Sequence, residues 1–304
     1  MSFSSDIKKE LCDMKNLTAE QSAAVLYGIM FASRQENGRP VIQTENNELM
    51  NAAVELLKTV FPGVHSGIVR LVKSSGSLYT LKIRSGYEQI ERRFGDFTNV
   101  SGSAVPGSDE CSGAFLRGVF ISCGSVTDPN KEYHLELVLP ESSRSAALLE
   151  FITEHGMAVK ETHRGRSRRA VIYIKESELI EDFLTYIGAA NHSMEIMQVK
   201  IVKDFRNRVN RSVNCDSANL DKTVAASNKS AEDIRLIYSR MGEGSLPPEL
   251  QETARLRLEN PEMSLSELCG LFAEPISRSG LNHRLKKLAA IAQELRTSKM
   301  TNDN

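Results

Sequence analysis

Hydrophobic residues in the segment 1–98 recur first at helical spacing and then at strand spacing. The stripe at the start is amphipathic, whereas the run 23–32 is apolar on nearly every side, which is typical of a buried helix. Two runs with a period of two flank a turn of Ser and Gly and predict a hairpin. The predicted elements are helices over 3–14, 18–32, 47–61 and 88–97 and strands over 41–44, 68–73 and 78–84.

The order of these elements is repeated after a stretch rich in Gly, Ser and Pro at 101–109, which marks a boundary. In the repeat, Gly28 corresponds to Gly118, and the strand residues 81–84 correspond to 172–175. We therefore predict a pseudo-twofold α/β body in which the two glycines let their helices approach closely. The predicted elements of the second half are helices over 112–123, 141–155 and 176–187 and strands over 133–139, 157–161 and 170–175.

The pattern beyond residue 198 is helical. A basic stretch at 199–211 comes first, and Asp204 is its only acidic residue. Further on, Ser264 and Glu267 have the spacing of a capping box, and Ser277 is positioned to cap a longer helix. A short helix, a tight turn and a longer helix together predict a helix-turn-helix. Helices are predicted over 220–228, 231–241, 248–260, 264–272 and 277–295.

The longer helix of this motif carries side chains that suit DNA. A recognition helix lies in the major groove, where Arg pairs with guanine, Asn pairs with adenine and Lys contacts phosphates. Between 277 and 299 the only acidic residue is Glu294, whereas basic residues are frequent. A helical hairpin with an ordinary solvated basic face is the alternative interpretation. The candidate DNA-binding residues are Arg278, Ser279, Asn282, His283, Arg284, Lys286 and Lys287.

Composition limits the other classes of function. The 304 residues include 38 Lys and Arg against 39 Asp and Glu, so affinity for nucleic acid must come from local patches. The chain has a polar start and no apolar run long enough for a bilayer, so we expect a cytoplasmic protein without a membrane partner. The 5 cysteines are scattered and predict no zinc site, and the absence of glycine-rich phosphate motifs predicts no nucleotide cofactor.

Three separated segments, 2–11, 115–129 and 256–288, resemble the WhiA family of bacterial sporulation and cell-division regulators. The resemblance covers nearly the whole chain. It implies an α+β fold class, with a duplicated LAGLIDADG homing-endonuclease-like α/β body followed by an all-α helix-turn-helix domain. It also implies a DNA-binding transcriptional regulator rather than a nuclease, and the duplicated pattern described above fits such a body independently.

The resemblance also indicates where an active LAGLIDADG endonuclease would hold its metal ions. Such an enzyme has one acidic residue at the end of each glycine-centred helix, and these carboxylates bind the divalent cations that assist phosphodiester hydrolysis. The corresponding positions of this chain are Ser33 and Cys123, and neither is a carboxylate. We therefore predict no catalytic residue, no metal site and no enzymatic activity.

A second basic cluster lies at the tip of the predicted hairpin in the second half of the body. Homing endonucleases lay concave sheets along the DNA major groove, so this tip is a candidate for a second DNA contact. A solvated hairpin and a docking site for a protein partner are the alternative interpretations. The cluster consists of Arg164, Arg166, Arg168 and Arg169.

The sequence thus predicts four segments: halves of the body at 1–98 and 110–198, a basic linker at 199–219 and a helix-turn-helix domain at 220–296. The leading hypothesis is a nucleoid-associated, sequence-specific regulator that binds double-stranded promoter DNA and has lost nuclease activity. A scaffold that recruits another transcription regulator or RNA polymerase is the second hypothesis. A metal-dependent endonuclease is the third, and the residues at the two metal-binding positions argue against it.

Overall fold

The computed structural model of the chain divides into two compact units. The amino-terminal unit is Met1–Asp204 and the carboxy-terminal unit is Phe205–Asn304. The structure describes residues 2–302 except Met14, Ser75, Ser101, Ser103 and 166–168, and it does not describe the side chains of Lys73 and 298–302. The division into four segments at the boundaries given above stays a prediction.

Two α/β halves with the same order of strands make up the amino-terminal unit, in agreement with the predicted duplication. The first half contains α1 (Phe3–Cys12), α2 (Ala19–Phe31), β1 (Arg34–Glu36), β2 (Arg39–Thr44), α3 (Asn47–Val60), β3 (His65–Lys73), β4 (Gly76–Ser85) and α4 (Tyr87–Phe94). The second half contains α5 (Asp109–Cys123), β5 (Gly124–Val126), β6 (Leu135–Val138), α6 (Ser145–Glu154), β7 (Lys160–Arg164), β8 (Arg169–Ile174) and α7 (Ser177–Tyr186).

The helices of this unit begin where the sequence supplies capping side chains. Thr18 caps α2 in a reciprocal box with Gln21, whose side-chain oxygen accepts the Thr18 N–H at 2.9 Å. Asn46 caps α3, and Ser108 caps α5 by accepting the Cys111 N–H at 3.3 Å. Each cap provides an acceptor for backbone N–H groups that have no partner in the first helical turn.

Each half contains an antiparallel sheet, and the described strands follow the orders β1-β2-β4-β3 and β5-β6-β8-β7. The sequence did not predict β1 or β5. Each is 3 residues long, which is too short to show a period of two, and each is defined by its pairing with the next strand. The predicted strand 157–161 is found further along the chain, as β7, because its register is set by pairing with β8.

The core of the amino-terminal unit is built around α2 and α5, which pack against each other at Gly28 and Gly118. A Cβ atom on Gly118 would lie 3.0 Å from the Cα atom of Gly28 and would overlap the carbonyl oxygen of Val25. Gly28 is packed in the same way against the backbone of Phe115. A side chain at either position would therefore meet backbone atoms, so the close approach predicted for the two glycines is present.

The described part of the carboxy-terminal unit is helical. It contains the distal part of α8 (Ala190–Met241), then α9 (Pro248–Glu259), α10 (Leu265–Cys269) and α11 (Arg278–Asn302). Helix α8 is continuous, which corrects the predicted interruption near 229–230, and the stretch 199–219 that was predicted as a linker is helical throughout. The physical reason is that 199–241 contains neither Gly nor Pro, so no residue there disrupts a helix strongly.

Two small apolar clusters hold the helices of the carboxy-terminal unit together. The first includes Ile234 of α8, Leu250 of α9 and Leu288 of α11. Beside it, Asp233 of α8 is buried and its Oδ1 lies 2.7 Å from Nη2 of Arg296. None of the described helices in either unit combines the length and the hydropathy needed to cross a lipid bilayer.

Candidate nucleic-acid interface

Helices α10 and α11 have the short-helix, turn and long-helix arrangement that the sequence predicts. The capping box of α10 is present, since the Ser264 N–H donates to Glu267 Oε2 at 2.8 Å and the Glu267 N–H donates to Ser264 Oγ at 3.3 Å. At the start of α11, Ser277 Oγ accepts the Gly280 N–H at 3.1 Å. Both predicted caps are thus confirmed. The apolar cluster that holds the two helices against α9 contains Leu256, Leu268, Phe272 and Leu281.

One face of α11 carries three of the candidate DNA-binding residues. Arg278, Asn282 and Lys286 are spaced by four residues and are exposed, and all three line a groove between the distal part of α8 and α11. We call these three residues the α11 row. Because successive helical residues turn by about 100°, the next face along presents other candidates to solvent. The exposed residues of that adjacent face are Ser279, His283 and Lys287.

Arg284 does not lie with the other six candidates. The carbon at the centre of its guanidinium is 5.7 Å from the centroid of the Phe272 ring, and its Nη2 is 3.7 Å from Glu249 Oε2. Only 24% of the Arg284 side chain is exposed. The expectation that Arg284 points outward is therefore corrected: its position on the helix turns it towards Glu249 of α9 and Phe272, where it helps to hold α11 in place.

The basic hairpin formed by β7 and β8 exposes Arg164 and Arg169, which are directly opposite each other in the register. Like charges in opposite positions repel, and Glu136 relieves this repulsion because its Oε2 lies 3.0 Å from Arg164 Nη2. Arg166 and Arg168 lie outside the described residues. Within the described part of this cluster, Glu136 therefore forms an ion pair with Arg164 and not with Arg169.

A cavity of about 540 Å³ opens at the carboxyl ends of α2 and α5, where the resemblance places the metal-binding residues of an endonuclease. Ser33 is buried there, and its hydroxyl donates to the Ile29 carbonyl at 2.5 Å. Burial raises the pKa of the Cys123 thiol to about 12, which keeps it protonated at neutral pH. No group of three or more His, Cys, Asp or Glu side chains that could hold a metal ion occurs among the described residues.

A buried arginine from the second half contacts the carboxyl end of α2 beside this cavity. Arg144 is 3% exposed; its Nη1 donates to the Phe31 carbonyl and, at 3.0 Å, to the Ser33 carbonyl. Its Nη2 donates to Glu141 Oε2 at 3.0 Å. The last carbonyls of a helix lack intrahelical partners and attract cations, so the guanidinium stabilises this helix end. A second cation here would be repelled by Arg144.

Replacing Arg144 by methionine is expected to destabilise the amino-terminal unit by about 2–4 kcal/mol. The substitution keeps apolar volume but leaves two buried carbonyls without their donor and Glu141 without its ion-pair partner. Chemical denaturation of the full-length chain measures the change, with Arg92→Met as the control because Arg92 is exposed. Equal stability of the two variants would contradict the role assigned to Arg144.

Sequence reasoning did not single out Arg144, Lys222 or Lys229. Arg144 ends a short 3-10 helix, Ser142–Arg144, inside the segment predicted as a helix over 141–155, and nothing in the local pattern predicts its burial. Lys222 and Lys229 of α8 line the same groove as the α11 row. They are separated by about two helical turns and therefore lie on one face of the helix, and this spacing is the sequence feature from which the pair could have been predicted.

Proteins of similar sequence are matched over nearly the whole chain. The family models described as "WhiA LAGLIDADG-like domain" and "WhiA C-terminal HTH domain" match residues 112–206 and 209–292. A Clostridium acetobutylicum protein named "Probable cell division protein WhiA" is 37% identical over 318 residues, covering 97% of this chain and 99% of that protein. A Clostridium novyi protein with the same name is 38% identical over 320 residues, covering 97% and 99%.

A solved structure agrees with these sequence matches. The crystal structure of full-length DUF199/WhiA from Thermatoga maritima covers 97% of this chain and 99% of that chain, with a TM-score of 0.59 and 25% identity. The fold class is thus a LAGLIDADG-like α/β body with a carboxy-terminal helix-turn-helix domain. With relatives of 37% and 38% identity over nearly their full length, the chain belongs to the WhiA family.

Proposed function

We propose that this protein is a regulator that binds double-stranded promoter DNA in a sequence-specific manner, with α11 as its recognition helix. The observation that carries the proposal is the exposed α11 row on the longer helix of the helix-turn-helix. Relatives named as probable cell division proteins support a role in cell division, and the resemblance to sporulation regulators extends the proposal to sporulation. Such a protein would act at the nucleoid, in the cytoplasm.

The side chains of the α11 row suit the contacts available in the major groove. Arg278 and Asn282 are at the start of α11, the part of a recognition helix that contacts base edges. Arg can donate twice to guanine O6 and N7, and Asn can pair with adenine N6 and N7. Lys286, one turn further, suits a phosphate oxygen. The adjacent exposed face would extend the interface with Ser279, His283 and Lys287.

We propose that the amino-terminal unit adds affinity and orientation without cleaving DNA. The exposed Arg164 and Arg169 support a second contact with phosphates, at the edge of the cavity that Arg169 lines. Ser33 and Cys123 offer no carboxylate for a divalent cation, and the buried Arg144 adds a positive charge at the same helix end. These features support the loss of the nuclease activity of LAGLIDADG enzymes.

If the protein contacts about five to eight phosphates, the logarithm of its association constant K for DNA is expected to fall linearly with log[salt], with a slope of roughly −4.5 to −7. The full-length chain is mixed with sheared genomic DNA, with and without Mg²⁺ or Mn²⁺, and the retained fragments are sequenced. A recovered fragment is then titrated at several salt concentrations by fluorescence anisotropy.

Enrichment of a few intact promoter fragments with a slope in this range would support the proposal. DNA ends cut only in the presence of the metal ion would instead support the endonuclease hypothesis. A slope near zero would exclude direct DNA binding through phosphate contacts.

An exposed apolar surface on β3 favours a second candidate function, recruitment of another regulator or RNA polymerase. Strand β3 lies at the edge of its sheet, where its outer backbone groups are open to a partner. Val69 is 53% and Val72 is 72% exposed, and Ile68 and Leu71 are also exposed. Exposed aliphatic side chains on an edge strand are typical of protein-interaction surfaces. Failure to enrich any genomic fragment would make this surface the leading candidate.

A further inference from the structure

A groove in the carboxy-terminal unit separates the distal part of α8 from α11. Its volume is about 430 Å³, within the range of roughly 300–1,000 Å³ that ligand sites occupy. One wall carries Lys222 and Lys229 of α8, and the opposite wall carries the α11 row. Ser264 and Ser266, at the start of α10, line it as well. All of these residues belong to Phe205–Asn304, so the groove lies within one unit.

The charged side chains that line this groove are mostly cationic. Lys222, Lys229, Arg278 and Lys286 are all exposed there. Among the described lining residues the one carboxylate is Asp233, which is 2% exposed and whose Oδ1 lies 2.7 Å from Arg296 Nη2. The Asp233 carboxylate is therefore neutralised by Arg296 of α11, and the groove keeps a strong excess of positive charge.

A fifth cation lines the groove from beneath and is itself buried. Arg257 is 2% exposed; its Nη1 donates to Ser227 Oγ at 3.1 Å and to the Met263 carbonyl at 2.8 Å. Its Nε has no hydrogen-bond partner among the described residues, and burial lowers the pKa of the guanidinium. A buried guanidinium without a carboxylate partner is costly, and an anion in the groove would reduce that cost.

We propose that the α8–α11 groove binds phosphate groups of the DNA backbone, with Lys222 and Lys229 as phosphate ligands opposite the α11 row. Arg278 and Asn282 of the α11 row would contact bases in the major groove while the α8 lysines contact phosphates of the adjacent strand, which fixes the register of the helix on the duplex. Arg257 contributes a fixed positive charge from beneath. This inference rests on the proposed function, because it assumes that the chain binds DNA.

The same chemistry could serve a free phosphate compound, such as a nucleotide, rather than a phosphodiester of DNA. Both sources present anionic oxygens to the Lys side chains. The DNA backbone is favoured because three residues of α11 that suit DNA line the same groove, and because exposed cationic side chains of both α8 and α11 face it.

The test compares Lys222→Gln/Lys229→Gln with a matched pair, Arg235→Gln/Arg240→Gln. Arg235 and Arg240 are exposed on the same helix but do not line the groove, so both double variants remove equal charge. Because the groove variant can no longer bind two of the phosphates, its salt slope is expected to become shallower by about 1.8, and its affinity to fall roughly thirtyfold at ~0.15 M salt. The control variant should change both quantities much less.

Thermal melting verifies that both variants are folded, and the parent chain is titrated without DNA against ATP and against inorganic phosphate. We expect no saturable binding of either compound at millimolar concentration. An unchanged slope and affinity in the groove variant would overturn the inference while leaving DNA binding itself intact. Saturable ATP binding that the groove variant loses, with normal DNA binding, would also overturn it. Absence of DNA binding by the parent chain would instead reject the proposed function.

Discussion

Replacing Arg278 and Asn282 by alanine is expected to lower the affinity for the specific DNA fragment by about 10²–10³-fold. Each bidentate contact with a base edge contributes roughly 1–3 kcal/mol of discrimination, and about 1.4 kcal/mol corresponds to a factor of ten. Both side chains are exposed on α11, so their removal should leave the fold unchanged. Affinity is measured by fluorescence anisotropy against the recovered fragment and against a scrambled sequence of equal length.

The loss should be confined to the specific fragment, because affinity for the scrambled sequence depends mainly on phosphate contacts. Ser279→Ala/His283→Ala is the matched variant on the adjacent exposed face of α11. If that variant loses specificity while Arg278→Ala/Asn282→Ala retains it, the α11 row is not the surface that contacts the bases. Arg284→Ala, by contrast, should lower the melting temperature, because it removes the contacts with Phe272 and Glu249.

Replacing Gly118 by alanine is expected to destabilise the amino-terminal unit by at least about 3 kcal/mol, the upper end of the usual cost of overpacking. A Cβ atom there would overlap the Val25 carbonyl oxygen and lie 2.9 Å from the Ile29 nitrogen, and these backbone atoms cannot rotate away. Helices α2 and α5 would have to separate and expose apolar surface. Thermal melting gives the loss of stability, and hydrogen exchange of the α2 and α5 amides locates it.

Gly107→Ala is the control for that experiment, since a Cβ atom on Gly107 would have no heavy atom of the described residues within 4 Å and the residue lies outside the helices. It should melt close to the parent chain. Gly28→Ala should behave like Gly118→Ala, because Gly28 meets the backbone of α5 in the same way. Normal stability of both helix variants would show that the two helices are not held by backbone contact at these glycines.

The elements that could be predicted from the sequence are those whose signal is local. Helix α2 has a capping residue and an uninterrupted apolar run, and the hairpin of β3 and β4 has alternating residues on both sides of its turn. The two halves could be aligned because the glycine positions and strand patterns recur at a nearly constant offset. The amino-terminal ends of α10 and α11 followed from Ser264 and Ser277, whose caps depend only on residues within one helical turn.

Elements and contacts that depend on distant residues required the tertiary structure. Strand β1 exists because it pairs with β2, and a segment of 3 residues carries no period of its own. Arg144 is far from α2 in the chain, so only the fold brings it to the carbonyls of Phe31 and Ser33. Long-range hydrogen bonds of this kind leave no trace in local spacing.

The candidate interface divides in the same way. Sequence alone placed Arg278, Asn282 and Lys286 on a basic helix, because helical periodicity and charge are properties of one segment. Only tertiary packing brought Arg284 against Phe272, which follows α10, and Glu249 of α9. Only the packing of α8 beside α11 brought Lys222 into the α8–α11 groove. Residue type and spacing determine which side chains a helix can offer, whereas the neighbouring helices determine which of them remain exposed and which are brought together.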